Sequence, residues 1–184
     1  MRIVFVGVCL ATICGLPSPG GGNPVVVMET SMGVIKVELF QEKAPATVRN
    51  FLQYVDDKHY DHTIFHRVIA KFVIQGGGYD TQMKEKPSRP PIKNESSNGL
   101  SNVRGTIAAA RTNVPDSATN QFYINVEDNI QLDRENAQDN VGYCVFGRVI
   151  EGMETVQKIR SVKTGVDDLP VDPIIIRSIR RIEK

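Results

Sequence analysis

The sequence contains no tryptophan, only three cysteines and three histidines, and a formal net charge of just +1 over 184 residues. Cys9 and Cys14 lie in the first apolar stretch, so Cys144 stands alone in the presumed folded region and has no internal disulfide partner. Its Cys-Val-Phe context reads as buried packing, not as a nucleophile. Without a basic excess the chain lacks the electrostatic footprint for nucleic acid or an anionic membrane. It also lacks an uninterrupted apolar run of about 20 residues, so no stable membrane span is expected. The three histidines, His59, His62 and His66, crowd into eight residues and invite a metal reading. The stretch from Thr63 to Ile69 has strand composition, however, and no carboxylate or cysteine completes a ligand set at familiar spacing. Neither a metal nor a cofactor is expected, and His66 is read as making a structural hydrogen bond beside the core.

What is present fits one soluble domain: 41% hydrophobic and 23% charged residues over a length that can bury a core without disulfides. Met1-Arg2 followed by the apolar stretch from Ile3 to Leu16 has the length of a secretory h-region, about 7–15 residues. Pro17 to Pro24, rich in Gly and Pro, would detach it from the remainder of the chain. Residues 1–24 are therefore read as a signal peptide with its linker, and residues 25–184 as a single domain. This reading implies export, most naturally to the periplasm. A lipid anchor on Cys9 or Cys14 is left open, although bulky Val8 and Ile13 just before them argue against it.

The domain reads as many short strands and two helices. Val25 to Thr30 and Val34 to Phe40 form a hairpin in which Ile35, Val37 and Leu39 face inward while Val34, Lys36 and Glu38 face water. Ala44-Pro45 opens a helix whose Val48, Phe51, Leu52 and Val55 make an apolar stripe. Phe65 to Gly78 reads as two strands broken near Ala70-Lys71 and ended by three glycines. A long polar connection runs from Tyr79 to Arg104, of the kind that is functional or packed as its own unit. Strands come next at Gly105 to Ala110, Gln121 to Val126 and Tyr143 to Val149, then a second helix at Gly152 to Val162 and a last strand at Ile174 to Ile182. This pattern implies an antiparallel barrel with helices plugging its ends.

Within Phe65 to Gly78 one Arg and one Gln sit among apolar neighbours. Val73 and Gln75 share a strand face, with Arg67 one strand away. The arrangement builds either a hydrophobic shelf rimmed by a guanidinium and an amide, or merely an Arg that caps a carbonyl or pairs a carboxylate at a sheet edge beside an exposed Gln. The motif decides between them. Phe65, His66, Arg67, Phe72, Gln75, Gly76 and Gly77, with Ser117-Ala-Thr-Asn-Gln-Phe-Tyr-Ile124 and Phe146-Gly147 later in the chain, resemble the signature blocks of the cyclophilin-type peptidyl-prolyl isomerases.

That resemblance implies an all-β-dominated fold, a closed eight-stranded antiparallel barrel capped by two α-helices. It implies rotation about X-Pro bonds with no covalent step, and partners that are proline-containing peptides and unfolded or folding proteins. It assigns Arg67 as the donor to the proline nitrogen and Phe72, Val73, Tyr123 and Leu132 as the apolar slot. Gln75 would support Arg67 or bond the peptide, and the backbone of Ala110 and Arg111 would hold the residues before proline. Gln121 and Tyr143 complete the substrate-binding set. Three positions depart from the best-known eukaryotic pattern. Gln131 stands in place of a tryptophan, Tyr143 in place of a pocket histidine, and Arg111 in place of an asparagine. The style is closer to the exported bacterial cyclophilins, and weak cyclosporin binding is expected. The competing reading is a proline-peptide binding or chaperone module with little dependence on turnover.

Overall fold

The computed structural model describes residues 22–182, and of the expected signal peptide and linker, residues 1–24, the first 21 residues lie outside the described residues. Eight strands close into a barrel: β1 (Val25–Thr30), β2 (Gly33–Leu39), β3 (Thr63–Val68), β4 (Val73–Asp80), β5 (Thr106–Ala109), β6 (Phe122–Asn125), β7 (Val145–Glu151) and β8 (Ile175–Arg181). Each pairs antiparallel with its neighbours in the order β1-β2-β7-β5-β6-β4-β3-β8. Closure leaves no free sheet edge to recruit another chain. Asn23 and Pro24 are tied to β2 just ahead of the barrel, through Asn23 Nδ2 to Glu38 at 3.1 Å and Leu39 N to the Pro24 carbonyl at 2.8 Å.

Two helices, α1 (Pro45–Asp56) and α2 (Met153–Arg160), accompany the barrel. The apolar stripe of α1 is buried as its spacing requires, and Phe51 meets Phe122 and Phe146 at ring centroid distances of 5.7 and 5.2 Å. Ala44 offers α1 no side-chain cap. Glu95 supplies one from the long connection, accepting from Ala46 N at 3.0 Å and from Thr47 N and Oγ1 at 2.8 Å each. Asn94 donates to the Gly142 carbonyl and Asn98 to that of Val145. The 79–104 connection is thus a packed unit that ties the start of α1 to the approach of β7.

Three sequence expectations need correction. Strand β4 does not end at the glycines but runs through Gly76–Gly78 to Asp80. The glycines answer close approach: a Cβ at Gly77, where φ is +94°, would fall 2.9 Å from the Tyr60 ring, and one at Gly78 would fall 2.6 Å from the Gln121 side chain. His66 makes no structural hydrogen bond, because its Nδ1 is buried without a partner and its ring lies edge-on to Tyr79 at 4.7 Å. The other strand and helix ends differ by one or two residues, where turns fray into loops.

Strands β4, β6, β5 and β7 form a wall that is buried on both faces. Ile74, Phe122, Ile124, Ile107 and Phe146 point into the main core. Their neighbours Val73, Tyr123, Ala108 and Val145 form a second cluster with Phe72, Leu100, Ala110, Leu132 and Tyr143. Successive strand residues point to opposite faces, so this second cluster covers the outer face of the wall.

Candidate functional site

A cavity of about 110 Å3 opens in that second cluster. Val73 and Gln75 reach it from β4 and Tyr123 from β6, with Gln75 and Tyr123 directly paired across the ladder. Phe72, Leu132 and Tyr143 add apolar wall, and Ala110 and Arg111 line the cavity from the segment after β5. It has room for one small ring and is well below the roughly 300–1,000 Å3 of sites for larger ligands.

Arg67 lines the same cavity, and a bulge brings it there. On β3 Phe65 pairs with Gly76 but Arg67 pairs with Gln75, so two steps on one strand match one on the other. The extra residue is His66. Such a bulge turns the chain so that the next side chain changes face. Phe65 is 0% exposed in the barrel core, while the Arg67 side chain is 41% exposed at the cavity. Both readings of Arg67 hold in part: it rims an apolar shelf, and its Nε also lies 3.6 Å from a carboxylate oxygen of Asp168.

The remaining polar groups are committed to one another. Gln75 donates through Nε2 to Gln121 Oε1 at 2.9 Å and makes no hydrogen bond to Arg67. Gln121 does not line the cavity; of the ten residues assigned by sequence it alone stands one step behind, held against Gly78 and Gln75. Ala110 N donates to the Gln121 carbonyl at 3.0 Å, so the amide of Ala110 is already used and its carbonyl is what it can offer a peptide. Arg111 contributes far more than backbone. Its side chain is 3% exposed, lies 4.4 Å over the Tyr143 ring, and donates to the carbonyls of Gly142 and Thr112 at 3.0 Å and to Asp139. Backbone N–H groups of Gly142 and Val141, with Arg111 beyond them, hold the Asp139 carboxyl down to about 2.

Sequence reasoning missed the support beneath Tyr123. Its hydroxyl donates to Asn102 Oδ1 at 2.8 Å, and burial pushes its pKa well up. Asn102 bonds Asp133 through its backbone N and at 2.9 Å through Nδ2, while Asn125 donates to Asn102 and to Thr106 Oγ1 at 2.9 Å. Asn129 closes the network, donating to Asn125 and to the Phe72 carbonyl at 2.8 Å. The one available signal is Asn125 inside the apolar run Phe122 to Val126, since an amide buried there must be bonded.

The three histidines separate. His59 Nε2 meets the Gly77 carbonyl at 3.2 Å and Asn120 at 3.1 Å, His62 lies in the turn just before β3, and His66 is packed on Tyr79. Burial, with Arg67 second, lowers the His66 pKa to about 4. Among the described residues no three His, Cys, Asp or Glu side chains cluster as metal ligands. Cys144 is a free, buried thiol whose pKa burial raises to about 11.

Residues 25–181 match the family model described as cyclophilin type peptidyl-prolyl cis-trans isomerase/CLD. A peptidyl-prolyl cis-trans isomerase of Acinetobacter baylyi is 51% identical over 86% of this chain and 85% of its own length. Peptidyl-prolyl cis-trans isomerase B of Escherichia coli K12 is 49% identical over 84% of this chain and 98% of its own. Among solved structures, a cyclophilin type isomerase of Cryptosporidium parvum superposes with a TM-score of 0.75 at 27% identity, covering 88% of this chain and 99% of that one. The same protein has been crystallised in the presence of the dipeptide Ala-Pro, and that structure superposes with a TM-score of 0.74. The chain belongs to the cyclophilin-type peptidyl-prolyl cis-trans isomerase family.

Proposed function

We propose that this isomerase lowers the barrier to X-Pro rotation by seating the proline ring in the cavity beside Tyr123 and presenting the Arg67 guanidinium to the proline nitrogen. The uncatalysed barrier is about 18–20 kcal/mol because the twisted amide loses its resonance. In the twisted state the nitrogen regains a lone pair, and a fixed donor at that atom stabilises the transition state more than either planar form. Arginine suits this task because it stays charged and carries several donors in one plane. The observation that carries the reading is the bulge at His66, which sets Arg67 at the rim of a cavity the size of a single ring, walled in part by Phe72, Val73 and Leu132. A module that only binds proline peptides needs the cavity but not the donor. A protease-coupled cis/trans assay on an Ala-Pro peptide separates the two: Arg67→Ala abolishes most turnover if the donor works as described, and leaves it intact otherwise.

Phe72, Val73 and Leu132 hold the ring, Tyr143 and Arg111 bound the cavity, and Gln75 offers its free carbonyl oxygen to the peptide with Gln121 fixing its amide. The short positive start and apolar run at residues 3–16 support export, most naturally to the periplasm, where the enzyme would act on proline bonds of folding proteins. No helix among the described residues is long and apolar enough to cross a membrane. Mass spectrometry of the protein recovered from the cell envelope tests export: loss of the first 20 or so residues supports it, and an intact N-terminus in the cytosol contradicts it.

A further inference from the structure

Among the described residues, the Arg67 side chain has one ion-pair partner, the carboxylate of Asp168. Gln75, its direct cross-strand neighbour, is engaged with Gln121 instead. Asp168 comes from the loop between α2 and β8, at the end of a 3-10 turn, Val166–Asp168. That loop is closed on itself by Gly165 N to the Leu169 carbonyl at 2.8 Å, Val171 N to the Lys163 carbonyl at 3.0 Å, and a Thr164–Pro170 bridge. Asp167 and Asp168 both take left-handed backbone angles, φ +57° and +58°. Two consecutive non-glycine residues in that region are uncommon, and aspartate tolerates it better than most. The closed loop thus fixes the direction from which a carboxylate meets the guanidinium.

We infer that Asp168 is a positioning residue for Arg67, an inference that rests on Arg67 being the donor to the proline nitrogen. Its carboxylate approaches the guanidinium most closely at Nε, 3.6 Å away, and among the described residues no guanidinium N–H is taken up in a hydrogen bond. Pairing at that edge restrains a long, flexible side chain while leaving its outer donors for substrate. A nearby negative charge also weakens the positive field, which would act against catalysis. The restraint wins for two reasons. The 3.6 Å separation is longer than a hydrogen bond, and the side chains of Arg67 and Asp168 are 41% and 45% exposed, so water screens much of the charge. The attraction that remains comes from one direction fixed by the closed loop, so it biases the side chain toward one arrangement, and added salt weakens that bias.

The test is a double-mutant cycle on the full chain, read as kcat/KM, its split into kcat and KM, thermal midpoint and salt dependence. Asp168→Ala and Asp168→Asn are expected to lower kcat/KM about two- to fivefold, the scale of an exposed ion pair. The loss should fall mainly on kcat, with the midpoint unchanged and partial recovery in Asp168→Glu. Added salt should bring the parent toward the variants and leave the variants flat. In an Arg67→Ala background, removing Asp168 should change nothing further. If Arg67→Ala is nearly inactive while the Asp168 variants match or exceed the parent, the positioning role is wrong and the Arg67 reading stands. A loss that persists in the Arg67→Ala background likewise overturns it. Full activity in Arg67→Ala sinks the Arg67 reading and this inference together.

Discussion

Phe65 and Arg67 lie two residues apart on one strand and yet point to opposite sides of the barrel wall, because His66 is an extra residue in the ladder between β3 and β4. In a regular strand both would face the same side. Without the bulge, the guanidinium would enter the core beside Phe122, or Phe65 would leave it. A buried charge among aromatic rings is among the costliest arrangements a fold can hold. One inserted residue therefore lets a single short strand serve both the core and the site.

The same residue gives the protein an acid-sensitive limb. His66 has a pKa of about 4 in the folded chain against 6.5 ordinarily. As pH falls from 6.5 the unfolded chain takes up the proton first, so stability declines down to about 4 and then levels. The loss is at most about 3 kcal/mol. His59, whose pKa burial and Lys86 also lower, contributes with the same sign. His66→Phe should shrink this limb of a midpoint-against-pH profile without abolishing it. It should also cost little at neutral pH, since it removes a buried unpaired nitrogen. An unchanged limb would mean that His66 titrates normally.

Asp139 governs a lower window. Its folded pKa of about 2 lies below the ordinary 3.8, so the stability it contributes is complete above about 4 and is lost as pH falls toward 2. Asp139→Asn should flatten that window. At neutral pH it should destabilise the chain by only about 1 kcal/mol, because water screens the half-exposed carboxylate even as the hold on buried Arg111 weakens. KM for an Ala-Pro peptide should rise as well, because Arg111 braces Tyr143. A variant with unchanged KM would show that Tyr143 needs no brace.

Removing Asn102 should act through Tyr123. In Asn102→Ala the buried hydroxyl loses its acceptor, a cost of about 1–3 kcal/mol in stability. The double variant Asn102→Ala with Tyr123→Phe should recover part of that, because no hydroxyl is then left unpaired. Strictly additive losses in denaturant unfolding would contradict the network.

Gln131 sits on the short turn Ile130–Leu132, exposed, with its amide 3.3 Å from Asn129 Oδ1. It does not line the cavity, although Leu132 beside it does. Cyclosporin should bind weakly, and Gln131→Trp should tighten it by supplying rigid apolar area and an N–H, with less effect on peptide turnover. Titration calorimetry that finds no gain would place the determinant at Tyr143 and Arg111 instead.

How far these features are legible in the sequence depends on where their partners lie. The two strands on either side of Ala70-Lys71 are evident from β-branched content, and the stripe of α1 from its spacing. Arg67, Phe72 and Tyr123 are singled out by motif, and the structure brings them to one cavity. The bulge at His66 is invisible because it is a property of register between two strands, not of any local residue preference. Gly76–Gly78 misleads for a related reason: three glycines read as a strand end, whereas here they make room for Tyr60 and Gln121, which arrive from other elements. The Asn102 network, the Glu95 cap and Asp168 are missed because each bonds a residue distant in the chain.

The donor role of Arg67 is tested most directly by kcat/KM and thermal midpoint measured on the same preparations of Arg67→Ala and Arg67→Lys. The half-exposed side chain at the cavity rim contributes little to folding, so both variants should keep a midpoint close to that of the parent chain. Arg67→Ala should lose about 2.7–4 kcal/mol of transition-state stabilisation, the scale of a deleted oxyanion-type donor. Arg67→Lys should recover little of it, because an ammonium on a flexible stem does not reproduce the planar fork. A variant that unfolds early yet turns over normally while folded would contradict the donor role and leave Arg67 as a structural residue of the barrel wall.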